Sequence, residues 1–164
     1  MKVEDPAAFR FIINEDIYLL PHDKETQSKK VVREAENLPF SFNYKGKNQK
    51  KFLILTHYPD QEAISEPHFT ALQAILARKG YQPDDVAIVN MARNAADITA
   101  ITEHFTPEKL LILGDKALPA GMPAPSFNRV QPIALCNTLL SFSFADMMEN
   151  TDNKRAFWEQ MKNL

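Results

Sequence analysis

Hydrophobic positions in the middle of the chain gather in short, nearly unbroken runs: "KFLILTH" (51–57), "VAIVNM" (86–91), "KLLILGD" (109–115) and "VQPIAL" (130–135). Runs of this length without polar alternation predict strands covered on both faces. Pro132 makes the last of them an edge or bulged strand. Between the first two lies "SEPHFTALQAILARKG", where Phe69, Leu72, Ile75 and Leu76 share one helical face. Ser65 or Glu66 caps that helix, Pro67 sits in its first turn and Gly80 terminates it. A second helix, "AADITAITEHF", has Asn94 as its cap, carries Ile98, Ile101 and Phe105 on one face and stops at Thr106-Pro107. Strand, helix, strand, helix, strand predicts parallel pairing with right-handed crossovers. The expected class is α/β: a three-layer α/β/α sandwich around a four-stranded, mainly parallel sheet.

The two ends read differently. "DPAAFRFIINEDIYLL" is an amphipathic turn or helix followed by an apolar segment, and residues 21–50 are polar with little periodicity. We therefore expect an N-terminal segment and polar linker over 1–50 and an α/β domain over 51–164. The closing "TDNKRAFWEQMKNL" predicts a helix capped by Thr151 or Asp152, with Phe157, Trp158, Met161 and Leu164 in one apolar stripe. Trp158, the only tryptophan, is expected to lock that helix onto the sheet.

Composition adjusts this picture in a few places. With 164 residues, 45% hydrophobic and 24% charged, the chain suits one folded domain rather than a disordered or fibrous class. No apolar run approaches the roughly 20 residues of a membrane span, and "MKVEDPAAF" lacks the apolar core of a signal peptide, so a cytoplasmic protein is expected. Cys136, alone in the chain, predicts a buried, unreactive thiol and no internal disulfide. A net charge of −2 gives no general attraction to nucleic acid. "YKGKNQKK" (44–51), with Lys45, Lys47, Lys50 and Lys51, is either a phosphate-contacting patch or, as such runs more often are, a solvated loop leading into a strand.

Ligands of open parallel sheets sit at the carboxyl ends of the strands. Those ends supply His57, Asp60, Asn90, Arg93, Asp115, Lys116 and Asn137 as a candidate crevice. The four glycines are dispersed, so no phosphate-cradling loop is formed, and neither "GxSxG" nor "HExxH" occurs. His57 with Asp60 is the one close His and acid pair at a strand end, and a metal would need a third ligand that the sequence does not supply. No catalytic residue, metal or cofactor is assigned.

Several stretches resemble the psi-subunit family of the bacterial DNA polymerase III holoenzyme, which has the uracil-DNA glycosylase fold without the glycosylase activity. They are "KFLILTHYPD", "EPHFTALQAILARKGYQPDDVAIVN", "FTPEKLLILGD" and the closing "DMMENTDNKRAFWEQMKNL", covering about residues 50–164. Upstream, "FRFIINEDIYLLPHD" is similar to the family's N-terminal docking segment, with Asn14-Glu15-Asp16 where the family has Gly.

The resemblance implies a non-catalytic adaptor of the DNA replication machinery. Phe9, Ile12, Ile17, Tyr18 and Leu20 would bind the clamp loader, and the folded domain would meet a second replication protein. Two other readings stay open. One is a uracil-DNA glycosylase-like base-excision enzyme, which needs a water-positioning carboxylate or Asn after the first strand and a donor, commonly His, after the last. "THYPDQ" offers Asp60, whereas "CNTLLS" offers Asn137 and no His. The other is a stand-alone α/β protein binding a small ligand at the strand ends.

Overall fold

A computed structural model describes residues 41–133 and 135–164. The described residues all belong to one compact unit, Phe40–Leu164. The expected docking residues Phe9, Ile12, Ile17, Tyr18 and Leu20 lie outside the described residues.

The fold is α/β, with one mixed six-stranded sheet and four helices among the described residues. In chain order the strands are β1 (Tyr44–Gly46), β2 (Phe52–Thr56), β3 (Val86–Asn90), β4 (Lys109–Leu113), β5 (Arg129–Ile133) and β6 (Cys136–Ser141). The helices are α1 (Glu66–Arg78), α2 (Ile98–Phe105), α3 (Phe144–Glu149) and α4 (Thr151–Met161). Across the sheet the order is β1-β3-β2-β4-β6-β5. β3, β2, β4 and β6 run parallel, and β1 and β5 add antiparallel edges.

The sheet differs from the expected four-stranded one in two places. The run over 130–135 is not the fourth parallel strand. It is the antiparallel edge β5, which turns back at Leu135 so that Cys136–Ser141 enters the sheet beside β4. Leu135 makes this turn in a left-handed backbone, φ 68°. The other addition is β1, from within the lysine-rich stretch. Residues 41–50, expected as linker, therefore belong to the domain. Tyr44 pairs with Val89, and Asn43 exchanges backbone hydrogen bonds with the Asn94 side chain at 2.9 and 3.0 Å.

The continuous apolar runs are explained by what covers them. All five residues of β2 and of β3 are buried. Phe52, Ile54, Val86, Ile88, Leu111, Leu113 and Leu139 pack with α1, α3 and α4. Their alternates Leu53, Leu55, Ala87, Val89, Leu110, Ile112 and Leu140 pack with α2 on the opposite face. Each fully buried aliphatic side chain contributes about 1.5–3 kcal/mol relative to exposure, so this double layer dominates stability.

The helix ends are set locally. Ser65 precedes α1 without a side-chain cap bond. At the other end Gly80, φ 77°, gives its N–H to Ala77 O, and Tyr81 N–H bonds Leu76 O, a Schellman closure. Asp97, not Asn94, caps α2 by accepting from Ala100 N–H at 2.8 Å. Asn150, not Thr151 or Asp152, caps α4 through its Oδ1 and Asp152 N–H. Lys79 reaches across from α1 and donates to the carbonyls of Met161 and Lys162, placing a cation at the negative end of α4.

The closing stripe also divides. Phe157, Met161 and Leu164 are buried, whereas Trp158 is half-buried with the Arg78 guanidinium 5.7 Å from its ring. Trp158 still packs against the same core, so the fixing of α4 expected of it is shared with its neighbours on the stripe.

Candidate functional site

The parallel strands end together, with Thr56 beside Asn90 and Leu113 beside Ser141. Beyond β2 and β4 lies a cleft of about 530 Å³, bordered by His57, Tyr58, Asp115, Lys116, Ser143 and Phe144. Gly114 makes it narrow. Its φ of 90° is reserved for glycine, and a Cβ there would stand 3.2 Å from Ser143 Cβ. Its N–H also bonds Ser141 O at 2.9 Å, which draws the turn after β4 against the end of β6.

One wall is aromatic. His68 stacks on Phe144, ring centroids 5.3 Å apart, and shares a 2.8 Å hydrogen bond with the Tyr58 hydroxyl. Burial pushes the Tyr58 phenol up to about 12, so at neutral pH it is a protonated hydrogen-bonding group rather than a base. The opposite lip carries Asp115 and Lys116, both exposed. Ser143 and Asp146 are engaged with each other in the capping box of α3, Oγ to Oδ2 2.6 Å. His57 is half-buried, and its Nδ1 is enclosed without a hydrogen-bond partner.

The expected crevice residues thus separate. His57, Asp115 and Lys116 border the cleft. Asn90 is fully buried beneath it and serves as a loop fastener. Its Oδ1 accepts from Tyr58 and Ala92 N–H, and its Nδ2 donates to the carbonyls of Tyr58, Gln61 and, more weakly, Glu62. Arg93 is exposed and donates to the Gln61 carbonyl at 3.4 Å, supporting the same loop. Asp60 lies exposed in that turn and does not border the cleft. Asn137 is placed elsewhere. It pairs with Lys109, the first residue of β4, and so stands at the amino ends of the parallel strands. That correction stems from the turn at Leu135, which reverses the direction expected of the final run.

The cleft residues missed from sequence were Ser143, Phe144 and Asp146, because the strand preceding them was misplaced. The S-x-x-D pattern of a capped helix was their available signal.

Two other sequence candidates are resolved. Lys45, Lys47, Lys50 and Lys51 pair with Glu66, Asp84, Asp85 and Glu108, at distances between 2.7 and 3.5 Å. Each lysine of the run therefore has a carboxylate beside it at the surface. Asp85 accepts a backbone bond from Gln82 and a bond from Lys50, which together hold its carboxyl below the usual range. Cys136 is buried, and its thiol is pushed up to about 11 by that burial, against a smaller opposing effect of Thr138.

Among the described residues no three His, Cys, Asp or Glu side chains gather to hold a metal ion, and no helix is long and apolar enough to cross a membrane. Comparison of the chain with family models and with curated proteins finds no match to either.

Proposed function

We propose that the chain is a psi-like, non-catalytic adaptor subunit of the DNA replication machinery, with a uracil-DNA glycosylase-like α/β/α domain and an N-terminal segment that binds the clamp loader. The observation that carries this reading is the fate of the polar groups at the strand ends. A bond-breaking site needs groups free to meet a substrate. Here Asn90 is engaged wholly with the backbone, Asp146 and Ser143 cap a helix, Asp60 lies outside the cleft border, and the groups left facing the cleft, His57, Asp115 and Lys116, form no hydrogen bond with one another. Parallel strands with helices on both faces, together with the four stretches resembling the psi family, support the same reading.

Base excision loses further support from the corrected topology. The last parallel strand ends at "SFSF" (141–144), which supplies serines and no His, and Asn137 lies at the far end of the sheet. A small-ligand reading keeps one observation in its favour, the cleft walled by Tyr58 and Phe144, with His68 stacked on Phe144.

The experiment is affinity capture with the tagged full chain and purified clamp-loader complex. Retention of the complex by the full chain and its loss on deleting residues 1–20 are expected. Equal capture with and without those residues, or none, overturns the docking assignment. Cleavage of uracil-containing DNA by the wild-type chain but not by Asp60→Ala would favour the enzyme instead. Thermal stabilisation by a metabolite, about 2.7 kcal/mol at a hundredfold its Kd, would favour the ligand-binding reading.

A further inference from the structure

The face built by α1, α3 and α4 carries a second concavity, of about 280 Å³. Its floor is Phe144, Met147 and Phe157, all buried, and its walls include Ile75, Trp158 and Met148, which is 52% exposed. The charged residues on its border are Arg78 and Lys154. Neither has a carboxylate within ion-pair distance among the described residues, and Arg78 lies 5.7 Å from the Trp158 ring. An apolar groove bordered by two cations that have no carboxylate partner among the described residues has a chemical complement, an apolar segment carrying acid.

We infer that this groove docks an amphipathic helical segment of a partner protein, apolar at i, i+3 and i+4 and bearing Asp or Glu opposite Arg78 and Lys154. A second copy of the chain fits poorly. A two-fold contact through this face would bring Arg78 and Lys154 toward the same residues of the other copy. An anionic bilayer also fits poorly, because insertion needs apolar groups that project, and these line a recess. The inference rests on the adaptor reading and extends it by giving the second partner a surface and a chemistry. The residues of the groove are not those of the proposed clamp-loader contact, which belongs to residues before 21.

Trp158 is the chain's only tryptophan and lines the groove, so its emission reports occupancy. The test uses the full chain and two labelled 16-residue amphipathic helical peptides with the same Leu and Phe face, one flanked by Glu and the other by Lys. The Glu peptide should bind at least tenfold tighter, shift the Trp158 emission to shorter wavelength and weaken with added salt. Arg78→Glu with Lys154→Glu should reverse the preference toward the Lys peptide, while circular dichroism verifies that the variant is folded.

Equal affinity for both peptides, binding to neither, or binding that leaves Trp158 emission and the double variant unchanged would overturn the inference. Concentration-dependent self-association abolished by Met148→Glu would assign the groove to a second copy and overturn it as well. Clamp-loader capture, measured separately, tells a failure of this groove from a failure of the adaptor reading.

Discussion

Asn90 grips Tyr58 through both of its backbone polar groups: Oδ1 accepts from Tyr58 N–H at 2.9 Å, and Nδ2 donates to Tyr58 C=O at 2.8 Å. One buried side chain at the end of β3 thereby fixes the loop after β2 and, with it, the border of the strand-end cleft.

Replacing that side chain should loosen the loop. Asn90→Ala leaves two Tyr58 backbone groups and the Gln61 carbonyl without their partner, and an unsatisfied buried group costs about 1–3 kcal/mol. The expected loss is about 3 kcal/mol by urea denaturation, with faster proteolysis confined to residues 57–62. A variant as stable as the wild type would show that water substitutes for the amide.

Tyr58 should titrate late and bring a stability change with it. Its phenol ionises near 12 in the folded chain against 10.0 in the unfolded one, so the folded state holds the proton longer. Stability from this group is complete below pH 10 and is lost as the pH rises from 10 through 12. Tyrosinate absorbance followed against pH should show a late ionisation that is absent in Tyr58→Phe. That variant should also lose less stability over the same pH window.

At the closing helix the smaller aromatic should matter more. Phe157 is 2% exposed within the core, and Phe157→Ala should cost about 3–5 kcal/mol. Trp158 is half-buried against Arg78, and Trp158→Ala should cost about half as much. Chemical denaturation of the two variants side by side tests the order, and a reversed order would restore the locking role to Trp158.

Two glycines with positive φ should respond differently to alanine. A Cβ on Gly46 would collide with the Val86 carbonyl oxygen, so Gly46→Ala must displace β1 and should cost at least about 3 kcal/mol. A Cβ on Gly80 would meet nothing within 4 Å among the described residues, so Gly80→Ala should cost only the backbone strain, about 1–2 kcal/mol. Thermal unfolding of both separates steric from conformational cost.

The parallel core was legible because burial on both faces leaves an unmistakable trace: "FLIL", "VAIV" and "LLIL" have no polar alternation to confuse them. The β5–β6 turn was not, because it is made at Leu135 in a left-handed conformation rather than by the Gly or Asn that announces a hairpin. That omission carried Asn137 to the wrong end of the sheet and hid Ser143, Phe144 and Asp146. β1 was missed for another reason, since three residues amid lysines give no period to read. Of the candidate site, His57, Asp115 and Lys116 were found by the strand-end rule alone. The structural duty of Asn90 was invisible, because a buried amide and a ligand-binding amide have the same letter.

The antiparallel flanks of the sheet carry a consequence for life in a crowded cell. A bare parallel layer would offer long rows of open donors and acceptors to any passing extended chain. Here one margin is only three residues long, and the other contains Pro132, which withholds a donor. Lateral recruitment into fibrils finds little to grip on either side of the described sheet, so the covered layer can stay apolar through its middle without inviting the sheet itself to grow.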